Sequence, residues 1–253
     1  MTSLKNKVAI VTGASAGIGR ATARLFSQHG AKIVATARRQ AELDTLIGEI
    51  EADGGEAIAL AGDVRNDAHN LELVALAENR YGGLDVAFNN AGTVGPMVPI
   101  DALEKEDWDE VIETNLTSAF SAARYQVPAL RRRGGGSLIF TSSFVGHETA
   151  GMPGMSAYAA GKAGLVGLVK SLASELGQEA IRVNALLPGA TDTSMATFEN
   201  DEQRAFVEGM HALKRIARPE EIAQTVLFLA SDASSFTTGT AMLADGGVSI
   251  SKV

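Results

Sequence analysis

Tyr158 and Lys162 stand four residues apart in a stretch, Ser156 to Leu176, that reads as a helix. Positions i and i+4 share one helix face, so a phenol and an amine can enter the same cleft. A free tyrosine ionises at roughly pH 10. A neighbouring ammonium stabilises the phenolate and lowers that value. Such a pair makes a proton donor and acceptor that works near neutral pH. The spacing is also common by chance, and a surface tyrosine and lysine on any helix would share it. What decides between the two is the company the pair keeps.

Short apolar runs rich in Val and Ile alternate with longer helical patterns along the chain. Strands are expected at Val8–Val11, Ile33–Ala35, Ala57–Leu60, Leu84–Phe88, Ser137–Thr141, Ile181–Leu187 and Thr240–Ala244. Helices are expected at Gly17–His29, Gln40–Ala52, Asp67–Arg80, Lys105–Arg132, Ser156–Leu176, Asp201–Met210 and Pro219–Ala230. Runs that are apolar throughout imply strands buried on both faces, and helical connections imply parallel pairing. The expected fold is α/β: a Rossmann-type doubly wound sheet of about seven parallel strands with helices on both faces. No linker, repeat or low-complexity segment interrupts the 253 residues, so one domain over 1–253 is expected.

The first strand runs into Thr12-Gly13-Ala14-Ser15-Ala16-Gly17-Ile18-Gly19. Glycines between a first strand and a first helix permit a tight turn, close approach of backbone to a pyrophosphate and close helix–strand packing. The free N–H groups of the helix start then face the phosphates. The end of the second strand reads Ala35-Thr36-Ala37-Arg38-Arg39, with no acid to accept a ribose 2'-hydroxyl. Arg38 and Arg39 instead suit a 2'-phosphate, because guanidinium forks match phosphate oxygens. NADP is therefore favoured over NAD.

Composition narrows the alternatives. A net charge of -8 argues against nucleic-acid binding. The one basic run, Arg131-Arg132-Arg133, precedes three glycines and is expected to be a solvated helix end. The absence of cysteine rules out disulfides and thiolate chemistry. His29, His69, His147 and His211 lack metal-ligand spacing, so no metal is expected. No apolar run nears the roughly 18 residues of a spanning helix. The run Val8–Val11 is too short for a signal-peptide core, so no membrane association and a cytoplasmic location are expected.

Five segments fall together at the C-terminal edge of the expected sheet: the glycine loop, Asn89-Asn90-Ala91-Gly92, Ser142-Ser143, Tyr158 to Lys162, and Pro188-Gly189. Ligands of open α/β sheets bind along that edge. From about Lys5 to Gly247 the set resembles the single-domain branch of the short-chain dehydrogenase/reductase family. The resemblance implies an oxidoreductase that moves hydride between a nicotinamide cofactor and a carbonyl or secondary alcohol. It implies that Gly13, Ser15, Gly17, Ile18 and Gly19 form the phosphate loop, that Asp63 and Val64 meet the adenine, and that Asn90, Ala91 and Gly92 wall the cofactor cleft. It further implies Asn115 as anchor of a water-linked proton relay, Ser143 as the substrate-oxygen donor and Tyr158 as general acid/base. Lys162 would bind the nicotinamide ribose and depress the Tyr158 pKa. Pro188, Gly189, Thr191 and Thr193 would orient the carboxamide. A homotetramer built through Glu220–Ala230 and Thr240–Val248 is implied on the same ground.

Two features depart from the family pattern. Ser143 lies fifteen residues before Tyr158, a longer interval than usual, which leaves Ser142 and Ser143 both in play. Ser143-Phe144-Val145-Gly146 fits the family's Ser-x-x-Gly and favours Ser143. Gly161 replaces the usual Ser or Ala, at a cost under about 1 kcal/mol of helix propensity. Substrate contacts are expected from Val94–Pro96, His147–Met155 and Ser194–Met210. Met152, Met155, Met195, Phe198 and Phe206 read equally well as an apolar pocket or as lid packing, and His147 and Glu148 as substrate contacts or solvated loop residues. Other readings are a dinucleotide-binding regulator without turnover, which would lack the Tyr or the Lys, and a nucleotide-sugar epimerase, which needs a C-terminal substrate domain. An enoyl reductase usually spaces its Tyr and Lys more widely.

Overall fold

The computed structural model describes residues 3–251, apart from 148–150, 197 and 199. Seven strands form one sheet: β1 (Val8–Thr12), β2 (Lys32–Thr36), β3 (Glu56–Ala59), β4 (Val86–Asn89), β5 (Gly136–Thr141), β6 (Ile181–Pro188) and β7 (Ala241–Ala244). Their order is β3-β2-β1-β4-β5-β6-β7, and every neighbouring pair is parallel. The chain winds outward from β1 to β3 and then returns to β4 on the other side of β1. A crevice therefore opens at the C-terminal ends of β1 and β4, where successive connections part to opposite sides.

Alternation along each buried strand sorts the side chains into two cores. Val8 and Ile10 face one layer, with Leu138 and Phe140 of β5 and Val183 and Ala185 of β6. That layer is closed by α3 (Asp67–Tyr81), α5 (Ser118–Arg133) and α6 (Ser156–Leu176). Ala9 and Val11 face the other layer, with Ile33, Phe88 and Ile139. It is closed by α1 (Gly17–Gln28), α2 (Gln40–Ala52) and α8 (Pro219–Ala230). The expected doubly wound sheet is the observed one, and strand ends differ from the expected bounds by one or two residues.

The span expected as one helix, Lys105–Arg132, is three pieces. α4 (Lys105–Ile112) passes into a π turn, Glu113–Thr117, and then into α5. There the Ser118 N–H bonds the Glu113 carbonyl, one residue further back than in an α-helix. α7 (Asp201–Met210) follows β6 and is capped by Asn200, whose side chain accepts from Gln203 N–H.

The basic run Arg131-Arg132-Arg133 is exposed at the end of α5, and Gly134 in the left-handed region ends the helix, as expected. Arg131 pairs with Glu179, Arg132 with Glu78 at 2.8 Å and Arg133 with the buried Asp85 at 3.1 Å. Each solvated cation also meets an acid that long-range folding brings to the helix end. Among the described residues no helix is long and apolar enough to cross a membrane.

Candidate active site

The site begins where β1 ends. Thr12 is buried, and its hydroxyl accepts the N–H groups of Asn90 at 2.8 Å and Ala91 at 3.0 Å. Asn90 Nδ2 donates to the Thr12 carbonyl at 3.2 Å, and its Oδ1 accepts from Thr141 Oγ1 at 3.1 Å. β1, β4 and β5 are thus cross-linked at their C-terminal ends, and the turns they feed hold fixed positions. A narrow cleft opens there between Thr12, Val64, Asn89, Ala91, Asn115 and Thr141.

The glycine loop packs directly on this bracket. A Cβ at Gly19 would lie 2.3 Å from the Gly13 carbonyl oxygen and 2.8 Å from Asn90 Nδ2, so only glycine fits. Thr193 comes over the loop from the β6 side: a Cβ on Gly17 would meet its methyl at 2.8 Å. Arg39 Nη2 reaches back to Ser15 Oγ at 3.0 Å, with its Nε 3.1 Å from Glu42. Arg38 stands exposed beside it.

Two expected contributors are otherwise engaged. The Asp63 carboxylate is gripped by Arg65, with Nη2 at 2.6 Å and Nε at 3.0 Å from Oδ2. That guanidinium holds the carboxyl below the usual aspartate range. The Asn115 side chain, buried in the π turn, donates to the Thr93 and Val111 carbonyls at 2.7 and 3.0 Å. Its Oδ1 accepts from Thr93 N–H at 3.2 Å. The side chain therefore staples the loop after β4 to the π turn. Ile18 is half-buried against the α1 core layer.

Lys162 is 3 % exposed, and its Nζ donates to the Thr141 carbonyl at 2.7 Å. Burial pushes this amine down to about 7. Its Nζ lies 5.6 Å from the centre of the Tyr158 ring. Ser143 caps the short turn Phe144–Gly146, its hydroxyl accepting Val145 N–H at 3.2 Å, and its side chain draws the Tyr158 phenol pKa down. Ser142 instead donates to the Lys162 carbonyl at 2.7 Å. The serine ambiguity is thus separated in space: one hydroxyl faces the phenol, the other the helix backbone.

The expected depression of the Tyr158 pKa is corrected. Burial holds the phenol above its ordinary value, and the Ser143 hydrogen bond lowers it only in part. The physical reason is that the same pocket desolvates both partners. A lysine pushed to about 7 is only partly charged near neutrality, and its nearest bond is to a neutral carbonyl.

On the β6 side, Gly189 packs against the backbone of Asp245, and its N–H bonds the Ala244 carbonyl at 3.2 Å. Thr191 is buried beside it, and its hydroxyl donates to the Gly189 carbonyl at 3.1 Å. The turn is held by His211, whose Nε2 accepts Ala190 N–H at 3.2 Å while Nδ1 bonds the Val207 carbonyl at 2.8 Å. The tethering roles of Thr12, Thr141 and His211 escaped the sequence reading. Their signal was available in part, because a hydroxyl at the end of a buried strand must find a partner. Glu148 lies outside the described residues.

The edge fits a nicotinamide dinucleotide on one observation in particular. A Cβ on Gly92 would sit 2.7 Å from Asn115 Oδ1 and 3.2 Å from Lys162 Nζ, so the bare glycine keeps the space above the amine open. From Arg39 through the glycine loop and Thr193 to Gly92, Lys162, Tyr158 and Ser143, the groups follow one another along a single edge.

Residues 13–249 match the family model described as enoyl-(acyl carrier protein) reductase. The chain is 39% identical over 247 residues to a 3-oxoacyl-[acyl-carrier-protein] reductase FabG of Thermotoga maritima, covering 98% of this chain and 99% of that one. It is 38% identical over 242 residues to a cyclohexanol dehydrogenase of Acinetobacter sp., covering 95% and 94%. Among solved structures it resembles a short-chain type dehydrogenase/reductase from Mycobacterium marinum, with a TM-score of 0.93 at 33% identity over 99% and 98% of the two chains. A dehydrogenase/reductase from Sinorhizobium meliloti gives 0.91 at 35% identity over 98% and 96%.

Proposed function

Since the chain belongs to the short-chain dehydrogenase/reductase family and is an oxidoreductase, we propose that Tyr158 is its general acid/base, acting on a carbonyl or secondary alcohol with NADP(H) as the preferred cofactor. The observation that carries this reading is the buried Lys162 amine, on the Thr141 carbonyl and 5.6 Å from the centre of the Tyr158 ring, with Ser143 on the same strand end. The bound nicotinamide supplies or accepts the hydride.

The residues of the chain do the rest. Gly13, Ser15, Gly17, Ile18 and Gly19 hold the pyrophosphate, and Arg38 and Arg39 hold a 2'-phosphate. Val64, together with Asp63 in its pairing with Arg65, borders the adenine. Asn90, Ala91 and Gly92 line the cleft, while Pro188, Gly189, Thr191 and Thr193 close it over the carboxamide. Ser143 and Tyr158 donate to the substrate oxygen. As charge develops on that oxygen the phenolic proton moves to it, and a buried phenol gives up its proton more readily to an alkoxide than to water. Lys162 Nζ, with a pKa of about 7, can hold or release a proton at working pH and resupply the phenol. Asn115 contributes by fixing the wall, and a water relay through it uses its main-chain carbonyl, because its amide is spent.

The Tyr158–Lys162 spacing, with three residues between them, favours carbonyl over enoyl reduction. The same family pattern supports one oxidoreductase domain over 1–253 and a cytoplasmic homotetramer with contacts through α8 and the 240–248 segment. Exposed Leu243 gives the 240–248 segment apolar area. Replacing Tyr158 by Phe should leave NADPH binding within about threefold of wild type and abolish at least 99 % of turnover, of the order seen when a proton-transfer group is removed. A Phe variant that keeps most of its activity sinks the assignment. So does a wild-type protein that binds dinucleotide but turns over no carbonyl.

A further inference from the structure

His69 is buried in the first turn of α3, and no step of the proposed reaction uses it. Its Nε2 lies 2.9 Å from Thr36 Oγ1, and that hydroxyl donates to the Leu60 carbonyl at 2.7 Å. A threonine hydroxyl has one proton, and a carbonyl can only accept. The proton is spent on Leu60, so His69 Nε2–H is the donor to Thr36. Burial pushes this imidazole below its ordinary value, which keeps it neutral with its one proton on Nε2.

The ring also fills a space that the chain leaves for it. A Cβ on Gly62 would lie 2.3 Å from the imidazole Nδ1 and Cε1, so the bare glycine and the imidazole are complementary. Leu60 N–H bonds the Ala35 carbonyl at 3.1 Å and Gly62 N–H the Ala37 carbonyl at 3.0 Å, so the β2–β3 ladder runs on past the end of β3. The Thr36 carbonyl accepts Ala14 N–H of the glycine loop at 3.1 Å. Asn70, next to His69 and also buried, donates from Nδ2 to the Val64 carbonyl at 2.8 Å and to Ser121 Oγ at 3.0 Å. Two neighbouring side chains of α3 thus hold the end of β2 and the turn 62–64 at a fixed separation.

Arg38 and Arg39 follow just past Thr36, and Asp63 and Val64 just past Gly62. Resting on the dinucleotide reading above, which puts a 2'-phosphate on the first pair and the adenine beside the second, we infer that His69 is a positioning residue for the adenosine end of the cofactor. Its Nε2–H bond to Thr36 and its packing on Gly62 set the width of the crevice that the adenine enters. It acts through Thr36 and Gly62 rather than on the cofactor itself. Leucine has comparable bulk but no donor, and it leaves the buried Thr36 hydroxyl without its second partner. Glutamine can place an amide N–H near the position of Nε2 and restore the bond.

The test measures binding of NADPH, NADH, ADP-ribose and 2'-phospho-ADP-ribose by calorimetry, the last two lacking only the nicotinamide, beside thermal melts and turnover at saturating cofactor. His69→Leu should raise Kd about tenfold, both for the tighter dinucleotide and for its nicotinamide-free counterpart, the scale of a lost buried hydrogen bond. Its kcat on a carbonyl that the wild type reduces should stay within about twofold. His69→Gln should bring both constants back to within about threefold of wild type. Thr36→Val removes the other end of the bond and should reproduce the loss, and in combination with His69→Leu it should add little. If the leucine variant does not fold, Thr36→Val decides the point by the same two constants. A lower melting temperature with every Kd unchanged overturns the inference and makes His69 a core residue only. A loss for the dinucleotide that its nicotinamide-free counterpart escapes overturns it as well. Failure of the wild-type protein to bind any of the four ligands takes down the dinucleotide reading itself, and the inference with it.

Discussion

The Ser142 hydroxyl donates to the main-chain carbonyl of Lys162 across 2.7 Å, between two residues both buried. This bond fastens the strand end that carries Ser143 to the helix that carries Tyr158 and Lys162. Gly146 presses on the same point, since a Cβ there would come within 2.7 Å of the Lys162 carbonyl carbon. The distance from Ser143 to the phenol is therefore set by neighbours that need not touch a substrate.

Replacing each serine by alanine should separate the two roles. Ser142→Ala removes a buried hydrogen bond whose acceptor keeps its helix partner, so about 1 kcal/mol of stability should go. Turnover should fall less than tenfold. Ser143→Ala should lower kcat a hundredfold or more with little change in melting temperature. Thermal melts and steady-state kinetics on the two proteins check this, and the reverse ordering would show the assignment to be inverted.

Arg39 is the better placed of the two arginines to read a 2'-phosphate, because it already bonds Ser15 of the glycine loop. Arg39→Ala should raise KM for NADPH by tenfold or more, the value of one or two charge-assisted bonds. KM for NADH should stay within about threefold. Parallel titrations with both cofactors measure the ratio, and an equal loss for both would deny the site any choice between them.

The buried Lys162 makes stability depend on pH in a stated direction. Its folded pKa of about 7 lies below the ordinary lysine value of 10.5. Between those two values the unfolded chain binds the extra proton, so stability should rise with pH across that window. Below about pH 7 both states are protonated and the cost of the buried cation is fully present. Tyr158 acts in the opposite sense: its raised folded pKa should erode stability as pH climbs past the ordinary tyrosine range. Lys162→Met should flatten the slope between pH 7 and 10 and help the fold more at pH 6 than at pH 10. Denaturant melts at several pH values would show it, and an unchanged slope would remove Lys162 as the cause.

Gly19 has no room for a methyl group beside the Gly13 carbonyl. Gly19→Ala should weaken NADPH binding at least a hundredfold by pushing the loop off its bracket, and cost about 1–3 kcal/mol of stability through overpacking. Fluorescence titration alongside a melt tests both. Normal affinity would mean that the loop can shift without consequence.

How much was legible beforehand follows from the range of the forces involved. The α6 bounds, the glycine loop after β1 and the spacing of Tyr158 and Lys162 are matters of local period and local backbone geometry, and each was read at its place. The π turn at Glu113–Thr117 was not, because a one-residue slip in a helical ladder leaves the apolar pattern on either side intact. The acids that meet the three arginines at the end of α5, Glu179, Glu78 and Asp85, could not be read from the local pattern because they lie 48 to 54 residues away.

By itself the sequence determined a parallel sheet wound both ways around β1, and it determined which chemical groups reach the sheet's C-terminal edge, since strand burial and helix period are written in neighbouring residues. The folded chain decided which serine meets the phenol, that Asn115 and Asp63 spend their side chains on Thr93, Val111 and Arg65, and that Tyr158 is held above rather than below its ordinary pKa. Desolvation and long-range hydrogen bonds depend on everything packed around a group, and no local pattern of residues records that surrounding.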